Sequence, residues 1–327
     1  RDWSSDVCSS DLERLDGYLF VPPGGPVDEL DRELAAAQRA GLTQVTRVHL
    51  APLASFDTGP CLRFPGQGQF HPLKYLRALT AAIQRDGGKI FTNTHARKIE
   101  GGSPAIVETS NGFRIASTAV VVATNSPVND RVAIHTKQSP YRTYVIGARV
   151  PADSVAKGLY WDTAQDAEMA RQKDPLSYHY VRLQRVRPGP SGRDYDLLVV
   201  GGEDHKTGQA TDIEARWSRL EHWTKERFPM VEAIEYRWSG QVLEPMDGLA
   251  FIGRNPNDEP NVYIATGDSG QGMTHGTIAG ILLTDLILGR ENEWAILYDP
   301  SRVRARTAGE FIRGCYESFC KLLMENQ

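Results

Sequence analysis

The residues whose types and spacing could do chemistry lie in one run, Gly267-Asp268-Ser269-Gly270-Gln271-Gly272-Met273-Thr274-His275-Gly276. An apolar strand, Asn261 to Thr266, precedes it, and an apolar helix, Thr277 to Leu288, follows. Glycines at 267, 270, 272 and 276 let the backbone pass close to a flat or anionic group. Unpaired N–H groups and the positive end of the helix dipole would face that group, so the run is suited to something electron-rich. A dinucleotide fingerprint would open a βαβ unit and place an acid on the next strand about 20 residues on. Here Asp285 falls inside the expected helix. That disfavours a pyrophosphate-binding first turn and favours a loop touching the redox ring of a cofactor held mainly elsewhere. The competing reading is a glycine turn that serves only tight strand–helix packing.

Other candidates are scattered. His71 precedes a helix, where capping or packing is the commoner role, and His275 stands in the first turn after the glycine run. Both are candidate catalytic residues. Tyr178, His179 and Tyr180 alternate along a strand, so either the two tyrosines or the histidine faces a substrate cavity, not both sets. Trp238 and Gln241 are further pocket candidates. Arg142 and Arg149 have the bidentate fork a carboxylate clamp needs, although each reads better as a solvated charge. Glu203-Asp204-His205-Lys206 has a metal-like composition but follows Gly201-Gly202 and reads as a polar turn, so no metal is expected.

The elements that must position these residues follow from periodicity. Asp28 to Ala40 forms a helix stopped by Gly41, and Val45 to Leu50 a short strand. Leu73, Leu76, Leu79 and Ile83 mark a second helix closed by Gly87-Gly88, with Lys89 to Thr92 extended after it. An Asn111-Gly112 turn between Ala105–Thr109 and Phe113–Ser117 signals a hairpin, leading into the buried strand Ala119 to Ala123. Tyr141 to Val150, Tyr178 to Arg185, Tyr195 to Val200 and Trp238 to Val242 read as strands. A helix from Thr211, with Glu214 completing a capping box, to Phe228 interrupts them.

The 327 residues are 40% hydrophobic and 24% charged, enough for about two globular domains. A net charge of −4 offers no basic field for nucleic acid. Cys8, Cys61, Cys315 and Cys320 form no disulfide or metal pattern, which fits a reducing cytoplasm. The longest apolar stretch, Ile278 to Leu288, is broken by Thr284 and Asp285 and falls short of the ~20 residues of a membrane span. Arg1 to Leu12 has neither an amphipathic period nor a signal-peptide layout. It resembles translated sequencing-adapter read-through, a non-native leader, so native sequence is expected to begin near Glu13.

The runs YIATGDSGQGMTHGTIAGILLTDLILG, QFHPLKYLRALTAAI, VVVATNSPVND and GLAFIGRNP resemble the FAD-dependent oxidoreductases of the D-amino acid oxidase superfamily. More narrowly they are similar to a bacterial branch often followed by a Rieske iron–sulfur domain. The likeness spans nearly all of Glu13 to about Arg302, in order. It implies FAD as cofactor, with Gly267, Asp268, Ser269, Gly270, Gly272, Met273 and Thr274 beside the flavin ring. It also implies that Ala96 offers backbone to the adenine and that Ala123 and Thr124 lie near the pyrophosphate or flavin. The family's opening strand, G-x-G-x-x-G turn and ribose-binding acid are absent before the meander, as is a Cys-x-His pair after Cys320. The expected fold is therefore α/β: an incomplete FAD-binding Rossmann-like domain (13–42, 62–138, 246–291), an inserted β-rich substrate domain (43–61, 139–245) and a C-terminal helical segment (292–327). The implied activity is oxidation of an amine or amino acid by hydride transfer to flavin N5. An iron–sulfur module or quinone would accept the electrons. The alternatives are a truncated, non-catalytic flavoprotein fragment or interaction domain, and a flavin monooxygenase.

Overall fold

The computed structural model describes residues 11–22, 25–129, 134–163, 178–188, 192–208 and 210–302. Its elements begin with β1 (Glu13–Phe20), α1 (Asp28–Arg39), β2 (Thr46–Val48), β3 (Cys61–Gln69) and α2 (Pro72–Arg85). Strands β4 (Ala96–Glu100), β5 (Ala105–Thr109), β6 (Arg114–Ser117) and β7 (Val120–Val122) follow. Next come β8 (Gln138–Pro151), β9 (Leu159–Asp162), β10 (Tyr180–Val186), β11 (Tyr195–Lys206), α3 (Ile213–Arg227) and β12 (Ala233–Pro245). The last elements are β13 (Phe251–Arg254), β14 (Val262–Thr266), α4 (Gly272–Ile287) and the short α5 (Ala295–Tyr298). Residues 1–10 of the expected leader, the tail beyond Arg302, and Cys8, Cys315 and Cys320 lie outside the described residues.

The chain divides into two units. One holds the residues through Gly87 together with Arg142–Gly240, and the other holds Gly88–Tyr141 and the residues from Gln241 onward. Segments 13–42 and 62–87 therefore belong with the strand-rich middle of the chain and not, as expected, with the glycine loop. Backbone pairing is the physical reason. β1 lies antiparallel to β3, with Glu13 opposite Gln69, and parallel to β9, with Gly17 opposite Leu159. These pairings extend the larger sheet, whose strand order is β12-β8-β11-β10-β9-β1-β3-β2.

Alternation gives this sheet its buried face. Tyr144, Ile146 and Ala148 of β8, Val181 and Leu183 of β10, and Leu198 and Val200 of β11 form one core with Leu220 of α3 and Phe228. α3 begins at Ile213 with Asp212 as its N-cap residue, one residue beyond the expected cap Thr211, and no side chain caps it. The Asp212 carboxylate instead accepts from Arg216 at 3.0 Å and Arg219 at 3.2 Å, which removes it from the helix terminus. Lys89 to Thr92 forms no strand, and its two large apolar residues, Ile90 and Phe91, are exposed.

The second unit contains two three-stranded sheets. β4-β5-β6 is the expected meander, turning at Gly112 with φ +86°. In the other sheet β14 is central, antiparallel to β13 and parallel to β7. Its unbroken apolar run reflects burial on both faces. Tyr263 packs with Ile252 and with Ala279, Leu282 and Leu283 of α4, while Val262 and Ile264 pack with Val122, Ile134 and Phe251. The Arg302 guanidinium clamps this core by pairing with Asp247 at 2.7 Å and lying 4.1 Å over the Phe251 ring.

Candidate cofactor site

β14 delivers the chain to the glycine run at Thr266. Three of the next four residues then adopt the left-handed region: Gly267 at φ +71°, Ser269 at +50° and Gly270 at +73°. A side chain is strained in that region, which accounts for glycine at two of the three. The Asp268 carbonyl accepts from the Gln271 N–H at 2.8 Å and from His275 Nδ1 at 3.1 Å. A carbonyl only accepts, so Nδ1 carries the proton and Nε2 is the acceptor in the neutral ring. The Ser269 N–H donates to the Leu243 carbonyl at 3.1 Å, and its hydroxyl donates to Glu244. The loop is thereby fixed to the end of β12.

α4 starts at Gly272, five residues earlier than expected, so Gly272, Met273, Thr274 and His275 form its first turn. Gln271 supplies no capping side chain, and the first turn holds no acidic residue. The leading N–H groups and the positive end of the helix therefore remain available to a ligand. They border a cavity of about 350 Å³ whose wall includes Ala123, Asn125, Thr266, Gly267, Asp268 and His275.

Of the residues expected from sequence, Ala123, Gly267, Asp268, Gly272 and His275 share this wall. Gln241, expected in a substrate pocket with Tyr178, lies in the same wall instead, because β12 brings it to within 3.5 Å of Asn125 Nδ2. Thr124, Ser269, Gly270, Met273 and Thr274 flank the wall without forming it. Ala96 opens β4 in the same unit, opposite Thr109.

The other candidates lie in the first unit. Tyr180 and Gly201 are direct cross-strand partners, and a Cβ on Gly201 would come within 2.0 Å of Tyr180 Cζ, so the ring occupies the space glycine leaves. Tyr178 stacks obliquely on Tyr180, ring centroids 6.0 Å apart. His179 points the other way, lying 4.2 Å from Trp223 of α3 with Nδ1 on Asp162 at 2.9 Å. Of the two alternatives left open by the sequence, the tyrosines therefore take the face away from α3. Trp238 is exposed on β12. His71 is the N-cap residue of α2 without a capping bond, and its Nδ1 is buried and unpartnered. Arg149 is occupied by Glu235 and lies 4.1 Å over Tyr195, while Arg142 bonds Ser239 at 3.1 Å.

Glu203 to Lys206 is not a surface turn but the end of β11, with Glu203, Asp204 and His205 buried. Glu203 accepts from Arg219 at 2.7 Å, and His205 Nε2 accepts from the Tyr144 hydroxyl at 2.9 Å. Their partners sit on α3 and β8, so no local pattern could reveal them. Sequence reasoning also missed Arg182 on β10. Burial pushes its pKa down, its Nε is buried without a partner, and no carboxylate pairs with it among the described residues. Among those residues no group of three or more His, Cys, Asp or Glu could hold a metal, and no helix is long and apolar enough to cross a membrane.

An α/β chain with a strand, a left-handed glycine loop and an uncapped helix end is the class this fold and cavity define. The chain belongs to the FAD dependent oxidoreductase family (DAO), whose model matches residues 2–286. It is similar to the protein named "Putative Rieske 2Fe-2S iron-sulfur protein YhfW" of Bacillus subtilis (strain 168), 29% identical over 88% of this chain and 52% of that one. It is also similar to gamma-glutamylputrescine oxidoreductase of Escherichia coli (strain K12), 27% identical over 71% of this chain and 50% of that one. The chain thus spans about half the length of these curated relatives. Among solved structures, glycine oxidase from Geobacillus kaustophilus superposes with a TM-score of 0.72 at 18% identity, covering 92% of this chain and 79% of that one. That likeness shows the fold.

The residues present fit a flavin. The uncapped N-terminus of α4 suits a ring that gains negative charge on reduction. The helix face at Gly276 is open as well, since a Cβ there would meet nothing within 4 Å.

Proposed function

We propose that this chain holds the flavin of an FAD-dependent oxidoreductase acting on an amine or amino acid. The observation that carries the reading is the uncapped start of α4 behind the left-handed loop, bordering the 350 Å³ cavity. When bound, FAD supplies the two-electron acceptor, taking hydride at N5 from the carbon that bears the amine. The chain's own groups bind, orient and manage charge. Gly267 to Gly270 would bring backbone close to the ring, and the N–H groups of Gly272, Met273 and Thr274 would stabilise negative charge there. His275, its Nδ1 proton committed to the Asp268 carbonyl, offers Nε2 as an acceptor for a proton from the substrate ammonium. Ala96, Ala123 and Thr124 would hold the remainder of the cofactor. Tyr178 and Tyr180 would govern substrate choice. The name of the Bacillus subtilis relative supports an iron–sulfur module as the electron acceptor, with a quinone as the alternative.

The test is anaerobic mixing of the FAD-loaded protein with a panel of amines and amino acids while the flavin's visible band is followed. Bleaching by at least one of them, with electrons passing to an artificial dye, is the expected result. Failure to retain FAD, or bleaching by NADPH alone, would overturn the reading, and the latter would favour a monooxygenase.

A further inference from the structure

Gln138, the first residue of β8, does not form the cavity wall, yet its side chain is tied to both loops that do. It is 6% exposed, as is Thr266 at the end of β14. Both atoms of the Gln138 amide lie 3.3 Å from the Thr266 hydroxyl, and that hydroxyl lies 2.5 Å from the Asn125 carbonyl. One hydroxyl has one proton to give, and a carbonyl can only accept. The proton is therefore committed to Asn125, and Thr266 Oγ1 must accept from Gln138. This fixes the amide with Nε2 toward Thr266 and gives a directional chain, Gln138 N–H to Thr266 O–H to Asn125 C=O.

The chain joins the two exits that border the cavity. Asn125 follows β7 and Gly267 follows β14, and both are left-handed, at φ +63° and +71°. β7 and β14 are parallel neighbours, with Val122 opposite Ile264, so their exits stand side by side. The other side of the Gln138 amide lies against Gly267, where a Cβ would come within 3.0 Å of Oε1. One buried side chain thus bears on both left-handed corners.

We infer that Gln138 is a positioning residue that sets the spacing of the Asn125 and Gly267 loops through the Thr266 hydroxyl, and thereby the affinity and environment of the flavin. This role rests on the flavin reading of the cavity, while its structural half, the coupling of the two loops, does not require a cofactor.

The experiment uses the whole chain and the variants Gln138→Leu, Gln138→Glu, Thr266→Val and Thr266→Ser. It reads the FAD dissociation constant, the shape of the flavin visible band, the melting temperature and amide hydrogen exchange without FAD across residues 123–126 and 266–272. Losing one buried hydrogen bond predicts roughly tenfold weaker FAD binding for Gln138→Leu, and Thr266→Val, which breaks both bonds of the chain, should weaken it at least as much; each should shift the flavin band. Thr266→Ser keeps the hydroxyl and should restore both. Glutamate at 138 presents only acceptors, takes the Thr266 proton and strips Asn125 of its donor, so Gln138→Glu should be at least as harmful as Gln138→Leu. The double variant Gln138→Leu/Thr266→Val should bind no worse than Thr266→Val alone, because the two act in one chain.

Exchange should quicken in both loops together in the cofactor-free variants. Wild-type exchange in Gln138→Leu, or Thr266→Ser as damaging as Thr266→Val, would overturn the inference whether or not the protein takes up FAD. Unchanged FAD affinity and spectrum in variants with loosened loops would also overturn it. If the wild type binds no FAD, the functional reading fails while the exchange result still decides the coupling.

Discussion

Replacing Gly276 with alanine should make the protein more heat-stable and at the same time poorer at holding FAD. Gly276 is in α4, and a Cβ at this position would meet nothing within 4 Å. Without cofactor, the change removes the entropic cost of a helical glycine, a gain of about 0.5–1 kcal/mol. For a chain of this size that is a rise of about 1 °C in melting temperature. The same position borders the 350 Å³ cavity, so the new methyl enters the space assigned to the ligand. Crowding of that kind costs about 1–3 kcal/mol, or about 5- to 150-fold in the dissociation constant. Gly280, one turn on, also has open space beside it but is not part of the wall, and serves as the stability-matched control. Thermal melts without FAD and fluorescence titration with FAD give the two quantities. An alanine at 276 that raises stability and leaves FAD affinity unchanged would refute the placement of the flavin against α4.

Valine at Gly272 should abolish flavin retention, since its Cβ would come within 2.5 Å of Asp268 Oδ2, and Gly270→Val should do the same through its left-handed φ of +73°; a normal flavin spectrum in both, with the fold intact, would exclude the loop. Gly201→Ala should displace the Tyr180 ring and shift substrate preference as Tyr180→Ala does, with little change in the flavin band, as steady-state kinetics on several amines would report. The hydrogen bond from Lys157, aided by Gln69, holds the Glu13 carboxyl below the usual carboxylate range. Its stabilisation is therefore full above an ordinary value of about 4.3 and is lost as pH falls through the lower folded value, so Glu13→Gln should reduce stability near neutral pH and flatten the acid limb of a stability–pH curve. Burial pushes the Cys61 thiol up to about 11, so native Cys61 should resist alkylation at pH 8 and react at the normal rate once unfolded.

Much of the local architecture was legible in the sequence because its causes are local. The Asn111-Gly112 turn, the stripe that makes α1, the unbroken run of β14 and the glycine spacing after it are set by backbone sterics and by periods of 2 and 3.6 residues. The family resemblance rests on β14 with its glycine loop and on three further runs, and the family match bears it out. Strands β1 and β3 were not among the expected elements; β1 holds Gly17 at a register shift after Leu15, and β3 carries Pro65, so neither shows a plain strand alternation.

What the tertiary structure decided were questions of partnership across long separations. Pairing of β1 with β9 carried the N-terminal segment into the larger sheet, against the expected division of the chain. Arg219 of α3 turned an apparent surface run at Glu203 into a buried strand end, and Trp223 drew His179 to the helix side, leaving the other face to Tyr180. Gln138 gave no signal at all in the sequence. Its importance lies in one hydroxyl proton 128 positions away, which can satisfy the Asn125 carbonyl or the glutamine but not both. Hydrophobic period and turn chemistry act between near neighbours and so are written along the chain, whereas the pairing of a buried donor with its acceptor exists only once the fold has brought the two together.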